Sequence, residues 1–198
     1  HLRLVGPPVP IEVPAPDLPD SLVLPCEPVG EAAHASLLWV VSLHGGSGAS
    51  TLTGILGTLA ASMPFRESLT SRRVTESPRS WPCGPGPALA STVLLVARTH
   101  AAGLVAADAA AHHWATGQLI GIRLLGLVLV DGAPHLTGSQ HAFMLQVAST
   151  VPNCWHLPWQ EEWREIRTPS FNDASRRVRR IGTNIINCAR EIRVTPER

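Results

Sequence analysis

Between Leu37 and Met63 three sequence patterns follow one another without a break, and together they leave few folds open. Leu37 to Leu43 reads Leu-Leu-Trp-Val-Val-Ser-Leu, the nearly continuous apolar run of a strand buried on both faces of a parallel sheet. His44-Gly45-Gly46-Ser47-Gly48-Ala49-Ser50-Thr51 comes next. After it Leu52, Ile55, Leu56 and Leu59 recur at the spacing of one helical face, which predicts a helix from Ser50 to Met63. A glycine-rich turn in that place has a physical use. Without side chains the backbone can wrap an anion, and its N–H groups, together with the helix N-terminus, supply positive potential.

The same strand-and-helix rhythm continues downstream. Thr92 to Ala97 is a second apolar strand, and Ala101 to Thr116 an alanine-rich helix closed by Gly117 as its C-cap. Leu124 to Val130 is a third buried strand, ending in the turn signal Asp131-Gly132. Ser139 to Ser149, with Phe143, Met144, Val147 and Ala148, reads as a helix, and Cys154 to Leu157 as a last short strand. Strands alternating with helices imply βαβ units, hence an α/β, three-layer fold with a mainly parallel central sheet flanked by helices. Residues 64 to 91, rich in Pro, Ser, Arg and Gly, show no period and are expected to form a long irregular connection holding at most a short strand. Ser170 with Asp173 predicts a capping box before a helix from about Phe171 to Ile192. Val178, Ile181, Ile185, Cys188 and Ile192 form its apolar stripe, and Arg176, Arg177, Arg179 and Arg180 fall mainly off it.

A chain of 198 residues, 44% hydrophobic, can bury one substantial core. The expected organisation is an extended arm over residues 1–36, where eight of the eighteen prolines fall before residue 30, a core over 37–165, and a basic amphipathic helix over 166–198 packed on that core. No lysine occurs, so every basic residue is an arginine or a histidine and any mechanism that needs a lysine is excluded. The net charge of +1 argues against a general attraction to nucleic acid or anionic membrane, which leaves the Arg-rich helix as the one region suited to such a surface. Cys26, Cys83, Cys154 and Cys188 are scattered without metal-ligand spacing, so they are expected as reduced thiols, neither a disulfide scaffold nor a zinc site. With no leader-like start and no apolar stretch long enough to cross a membrane, the expected compartment is the cytoplasm.

The loop His44 to Thr51 resembles that of the ParA/MinD group of deviant P-loop ATPases, which reads Lys-Gly-Gly-x-Gly-Lys-Thr-Thr. It is similar to the lysine-lacking branch of TadZ-like pilus-localisation and septum-site-determining-like proteins, where Gly-Gly-x-Gly-Ala-Ser-Thr occurs. The resemblance implies a P-loop NTPase-like fold in which Gly45, Gly46, Ser47, Gly48, Ala49, Ser50 and Thr51 cradle the phosphates of ATP or ADP. It also implies that Ser50 coordinates Mg2+, that Thr51 touches an inner phosphate, and that Asp131 stands where the family has a base-facing asparagine. Ala49 occupies the place of the loop lysine. His44 replaces the second, signature lysine, which in a homodimer reaches the partner's nucleotide. An acid for the magnesium water shell is expected between the loop helix and Ser91, where Glu67 and Glu76 are the only acids and neither follows an apolar run; in an alternative alignment Leu124 to Asp131 is that strand and Asp131 that acid.

Other constellations are poorer in chemistry. His112-His113 has no carboxylate or cysteine at metal spacing, and Asp108 and His100 lack the Gly-x-Ser-x-Gly elbow that would make a hydrolase of Ser47 or Ser50. Trp155, Trp159 and Trp163 cover the core edge or form a partner surface. Two readings of function follow. One is a nucleotide-binding positioning or regulatory factor with at most weak ATPase activity. The other is a non-binding scaffold of the same fold that acts through its proline-rich arm and basic helix. The proline-rich arm and the Trp-rich C-terminal region are the surfaces expected to meet a protein partner.

Overall fold

The computed structural model describes residues 23–30, 36–64, 72–84 and 90–194. In chain order the elements are β1 (Cys26–Pro28), β2 (Leu38–Ser42), α1 (Ala49–Ser62), β3 (Val74–Pro78), β4 (Trp81–Cys83) and β5 (Ser91–Arg98). They continue with α2 (Ala101–Ala115), β6 (Ile122–Val130), α3 (Gly138–Ala148), β7 (Cys154–Leu157), a 3-10 turn (Glu161–Arg164) and α4 (Arg176–Val194). Five strands form one all-parallel sheet in the order β3-β2-β5-β6-β7. Helices α1 and α4 cover one face and α2 and α3 the other, so the molecule is a three-layer α/β fold.

The apolar strands alternate between two cores. Leu38, Val40, Leu94 and Val96 point to the side of α1 and α4, and Trp39, Val41, Val93, Leu95 and Ala97 to the side of α2 and α3. Each large side chain contributes roughly 1.5–3 kcal/mol on burial, which is why hydrophobes run unbroken over Leu38–Val41 in β2 and Val93–Ala97 in β5. In β6 one extra residue resets this alternation: Leu124 and Leu127 share a face, and the register against β5 shifts between Val93 and Leu94. Gly126 makes the shift possible. Its φ is +155° and a Cβ there would collide with the Asn153 carbonyl oxygen.

Helix α1 buries Leu52, Ile55, Leu56 and Leu59, and α4 lays Val178, Ile185, Ile186 and Ala189 on the same side. On the other face the alanines of α2, among them Ala107, Ala110 and Ala111, let that helix sit close to the sheet. Thr137 and Gln140 form a full capping box that starts α3. Among the described residues no helix is long and apolar enough to cross a membrane.

Four expectations change. Residues 65–71 and 85–89, with Glu67, lie outside the described residues, but the rest of the segment expected to be irregular contains two strands. β3 is an edge strand with only Ser77 buried, so it needs no apolar run to pair with β2, and Pro78 sits harmlessly at its end. β4 leaves the main sheet and pairs in parallel with β1, so the arm, of which residues 1–22 and 31–35 lie outside the description, is tied to the body and buries Leu24. Cys26 and Cys83 are not reduced thiols: they form a disulfide that clamps β1 to β4. Cys154 and Cys188 stay free, and burial raises both thiols, Cys154 to about 11. Finally, Ser170 and Asp173 do not cap a helix. The Ser170 amide and hydroxyl both donate to Asp173 Oδ2, at 2.8 and 2.6 Å, which closes a turn, and α4 starts at Arg176, with the Ser175 hydroxyl accepting from the Val178 amide at 3.4 Å.

The chain leaves β2 for β3 on one side and returns for β5, β6 and β7 on the other. The connections therefore part between β2 and β5, and in open parallel sheets the crevice at that point, beyond the strand C-termini, is where ligands are received.

Candidate functional site

The glycine loop lies at that crevice. It joins the C-terminal end of β2 to the N-terminus of α1, with Gly46 at φ +72° and Gly48 at φ +92°, conformations that favour glycine. The amides of Gly45, Gly46, Gly48, Ser50 and Thr51 donate to no acceptor among the described residues, whereas Leu52 N–H already returns to the Gly48 carbonyl at 3.0 Å. Unpaired amides at a helix N-terminus form a concave donor surface for an anion.

Ser47 faces the other way. It is 1% exposed, its hydroxyl shares a 3.1 Å hydrogen bond with Ser42 Oγ and accepts the Ala49 amide at 3.3 Å, and so it holds the loop from inside. Ala49, expected in the place of a loop lysine, is the first residue of α1 and is buried in the core. Ser50 is exposed, and its hydroxyl donates to Glu76 Oε1 at 3.0 Å, because β3 pairs with β2 and brings Glu76 alongside the loop. Glu76 thus stands next to the proposed magnesium hydroxyl without the apolar run that would have marked it in the sequence. Thr51 is half-buried on the first turn of α1.

His44 and β5 close the other side. The His44 Nδ1–H donates to the Gly45 carbonyl at 2.9 Å, and Nε2 accepts the Arg98 amide at 3.0 Å, so the ring is held neutral with its proton on Nδ1. Burial holds its pKa below the ordinary value, the bond to Gly45 opposes this, and electrostatic interaction with His100, Arg98 and Arg79 lowers it further. The His100 ring lies 4.8 Å from that of His44 and caps α2 by accepting the Gly103 amide at 3.0 Å. Arg98, at the last position of β5, reaches over the loop and donates from Nε to the Gly46 carbonyl at 2.8 Å and from Nη1 to the Asp131 carbonyl at 3.3 Å.

Asp131 is brought to the same end of the sheet, but protein donors take its carboxylate. It is 7% exposed and accepts from Thr99 Oγ1 at 3.3 Å, His156 Nε2 at 2.7 Å and the Trp159 amide at 3.3 Å, which ties together the ends of β5, β6 and β7. Two crevices flank Arg98. One, of about 340 Å³, runs from Gly46 past Thr99 and His100 to Gln140; the other, of about 180 Å³, lies between Asp131 and Trp159, Trp163 and Arg164. Trp155 is turned elsewhere, donating to Asn184 on α4 at 2.8 Å. Among the described residues no three His, Cys, Asp or Glu side chains are placed to hold a metal ion.

Sequence reasoning missed Arg98 and the pairing of Ser50 with Glu76, and it weighed His100 only as a hydrolase partner of Ser47 or Ser50. The one available signal was that Arg98-Thr99-His100 ends an apolar strand, and it becomes informative only when β5 is known to lie beside β2. Comparison with curated proteins finds no match. Residues 36–181 match the family described as "Family of unknown function (DUF6668)", and since the match covers most of the chain, from the start of β2 into α4, this protein belongs to that family.

Proposed function

We propose that the protein is a ParA/MinD-like nucleotide-binding factor with a degenerate loop, acting in positioning or regulation with little or no hydrolysis. The observation that carries this reading is the set of unpaired amides at Gly45, Gly46, Gly48, Ser50 and Thr51, gathered at a helix N-terminus in the crevice where parallel sheets receive ligands. Each helix-end interaction with an anion contributes roughly 0.3–1 kcal/mol, so several in concert give moderate affinity without a lysine. Transfer of the phosphoryl group asks for more, because its transition state needs cations on the developing equatorial charge, and Ala49 supplies none. ATP or ADP fits the donor set. The Ser50 hydroxyl and Glu76 carboxylate are oxygen donors of the type Mg2+ takes alongside substrate phosphates, and when bound that ion neutralises phosphate charge. A nucleotide ligand goes with a cytoplasmic location.

Isothermal calorimetry with ATP and ADP, with and without Mg2+, tests the proposal. Binding is expected for the unaltered protein, loss of binding for Gly48→Val, where the left-handed φ strains any branched residue, and weaker magnesium dependence for Ser50→Ala. Binding that Gly48→Val leaves unchanged would show that the loop is not the nucleotide site.

One observation favours the scaffold reading instead. Ser47 fills the inside of the loop and Arg98 bridges its crest, so the loop holds its shape without a ligand. Absence of nucleotide binding in the same titrations would select that reading.

A further inference from the structure

We infer that Arg98 supplies, from the neighbouring strand, the cation that the loop itself lacks, and that the ligand's phosphoryl group lies between this guanidinium and the loop amides, at the Gly46 end of the 340 Å³ crevice. The inference rests on the phosphate-binding reading above.

Four observations converge on it. First, Arg98 is placed by the sheet: β5 pairs with β2, and its last residue falls at the switch point beside the loop. Second, the guanidinium is held by carbonyl oxygens only, those of Gly46 and Asp131, and no carboxylate side chain pairs with it among the described residues. A cation held by neutral acceptors keeps its charge available, and charge-assisted bonds to phosphate are about twice as strong as bonds to neutral partners. Third, the carboxylate of Asp131, whose carbonyl accepts from Arg98, is occupied by Thr99, His156 and the Trp159 amide. Fourth, Nη2 and the second N–H of Nη1 have no acceptor among the described residues while the side chain lines both crevices, so the planar fork can receive two phosphate oxygens at once. His44 cannot take this role near neutral pH, because its Nε2 already accepts the Arg98 amide.

The ligand class that follows is a phosphate ester or polyphosphate anion. Its oxygens accept from these unpaired N–H groups, while Nε stays on the Gly46 carbonyl and keeps the guanidinium over the loop.

The test is a titration of the full chain with MgATP over a range of sodium chloride concentrations, using the unaltered protein, Arg98→Gln and Arg98→Lys. Charge-assisted hydrogen bonds lost at one residue predict about a ten- to hundredfold weaker Kd for Arg98→Gln, together with a flatter dependence of affinity on salt. Arg98→Lys, which keeps the charge but not the fork, should retain the salt dependence with intermediate affinity. Full affinity in Arg98→Gln overturns the inference and leaves the nucleotide reading standing. Weaker binding with unaltered salt dependence also overturns it, because Arg98 would then only shape the loop through Gly46. If the unaltered protein binds no MgATP, both fall; and if Arg98→Gln does not fold, Arg98→Lys decides through its salt dependence.

Discussion

Both ring nitrogens of His44 are committed, one donating to the Gly45 carbonyl and the other accepting the Arg98 amide. Protonation would place a second N–H against the Arg98 amide and add charge beside His100, Arg98 and Arg79, so the folded form resists it. His113, whose ring meets that of Trp81 edge-on at 6.1 Å, is also held below its ordinary value, by burial. The sign of the consequence is set by linkage. The unfolded chain takes up these protons at about pH 6.5 and the folded chain only at lower pH, so stability is fully present above 6.5 and is lost as pH falls through the folded values. We expect the urea midpoint to drop between about pH 7 and pH 5, with His44→Gln and His113→Gln each flattening the profile. A profile that neither variant alters would mean that carboxylates dominate it. At this scale the loop residues themselves were legible, because glycine spacing after an apolar run has few other uses. Arg98 was not: its place beside the loop comes from a strand order that no local pattern encodes, and Glu76, one of two candidate acids, could not be singled out because an edge strand carries no apolar run.

Helix α2 reaches the site through Gly103. A Cβ at that position would collide with the Arg98 carbonyl oxygen and stand 3.0 Å from His44 Nε2, so the first turn of the helix rests directly on the two residues that close the loop. Gly103→Ala should therefore push the helix from the strand end, cost about 1–3 kcal/mol as overpacking does, and weaken ligand binding although it touches no ligand. Gly54→Ala is the control. That glycine is exposed in the middle of α1 with open space where a Cβ would go, and the substitution should stabilise by about 0.5–1 kcal/mol. Thermal unfolding of the two variants checks the opposite signs. β2, α1, β5, α2 and β6 were readable to within a residue or two, because the strands are buried on both faces and read as apolar runs while each helix buries one face of apolar or small residues. β4 was unreadable because Trp81-Pro82-Cys83 is short and pairs with a strand 55 positions earlier. The start of α4 was misread because Ser170 and Asp173 bond each other equally well in a turn and in a helix cap.

Across the whole molecule, the disulfide is the largest departure from what the sequence suggested, since two cysteines 57 positions apart with no repeating pattern around them announce nothing. It closes a covalent ring that contains β2, the glycine loop, α1 and β3. Loop-closure entropy for a ring of that size is worth about 4 kcal/mol, so reduction, or Cys26→Ser, should lower the unfolding free energy by up to that amount in a denaturant titration, and an unchanged midpoint would show that the bridge adds no stability. The position of the ring also governs how the protein responds to tension. When the two chain ends are pulled apart, the force passes from Cys26 to Cys83 through the sulfur bridge, so the phosphate-loop candidate is never drawn out along the pulling axis. The extended length released by the oxidised protein is then about 200 Å shorter than that of the reduced protein, at roughly 3.5 Å for each of the 57 positions held inside the ring.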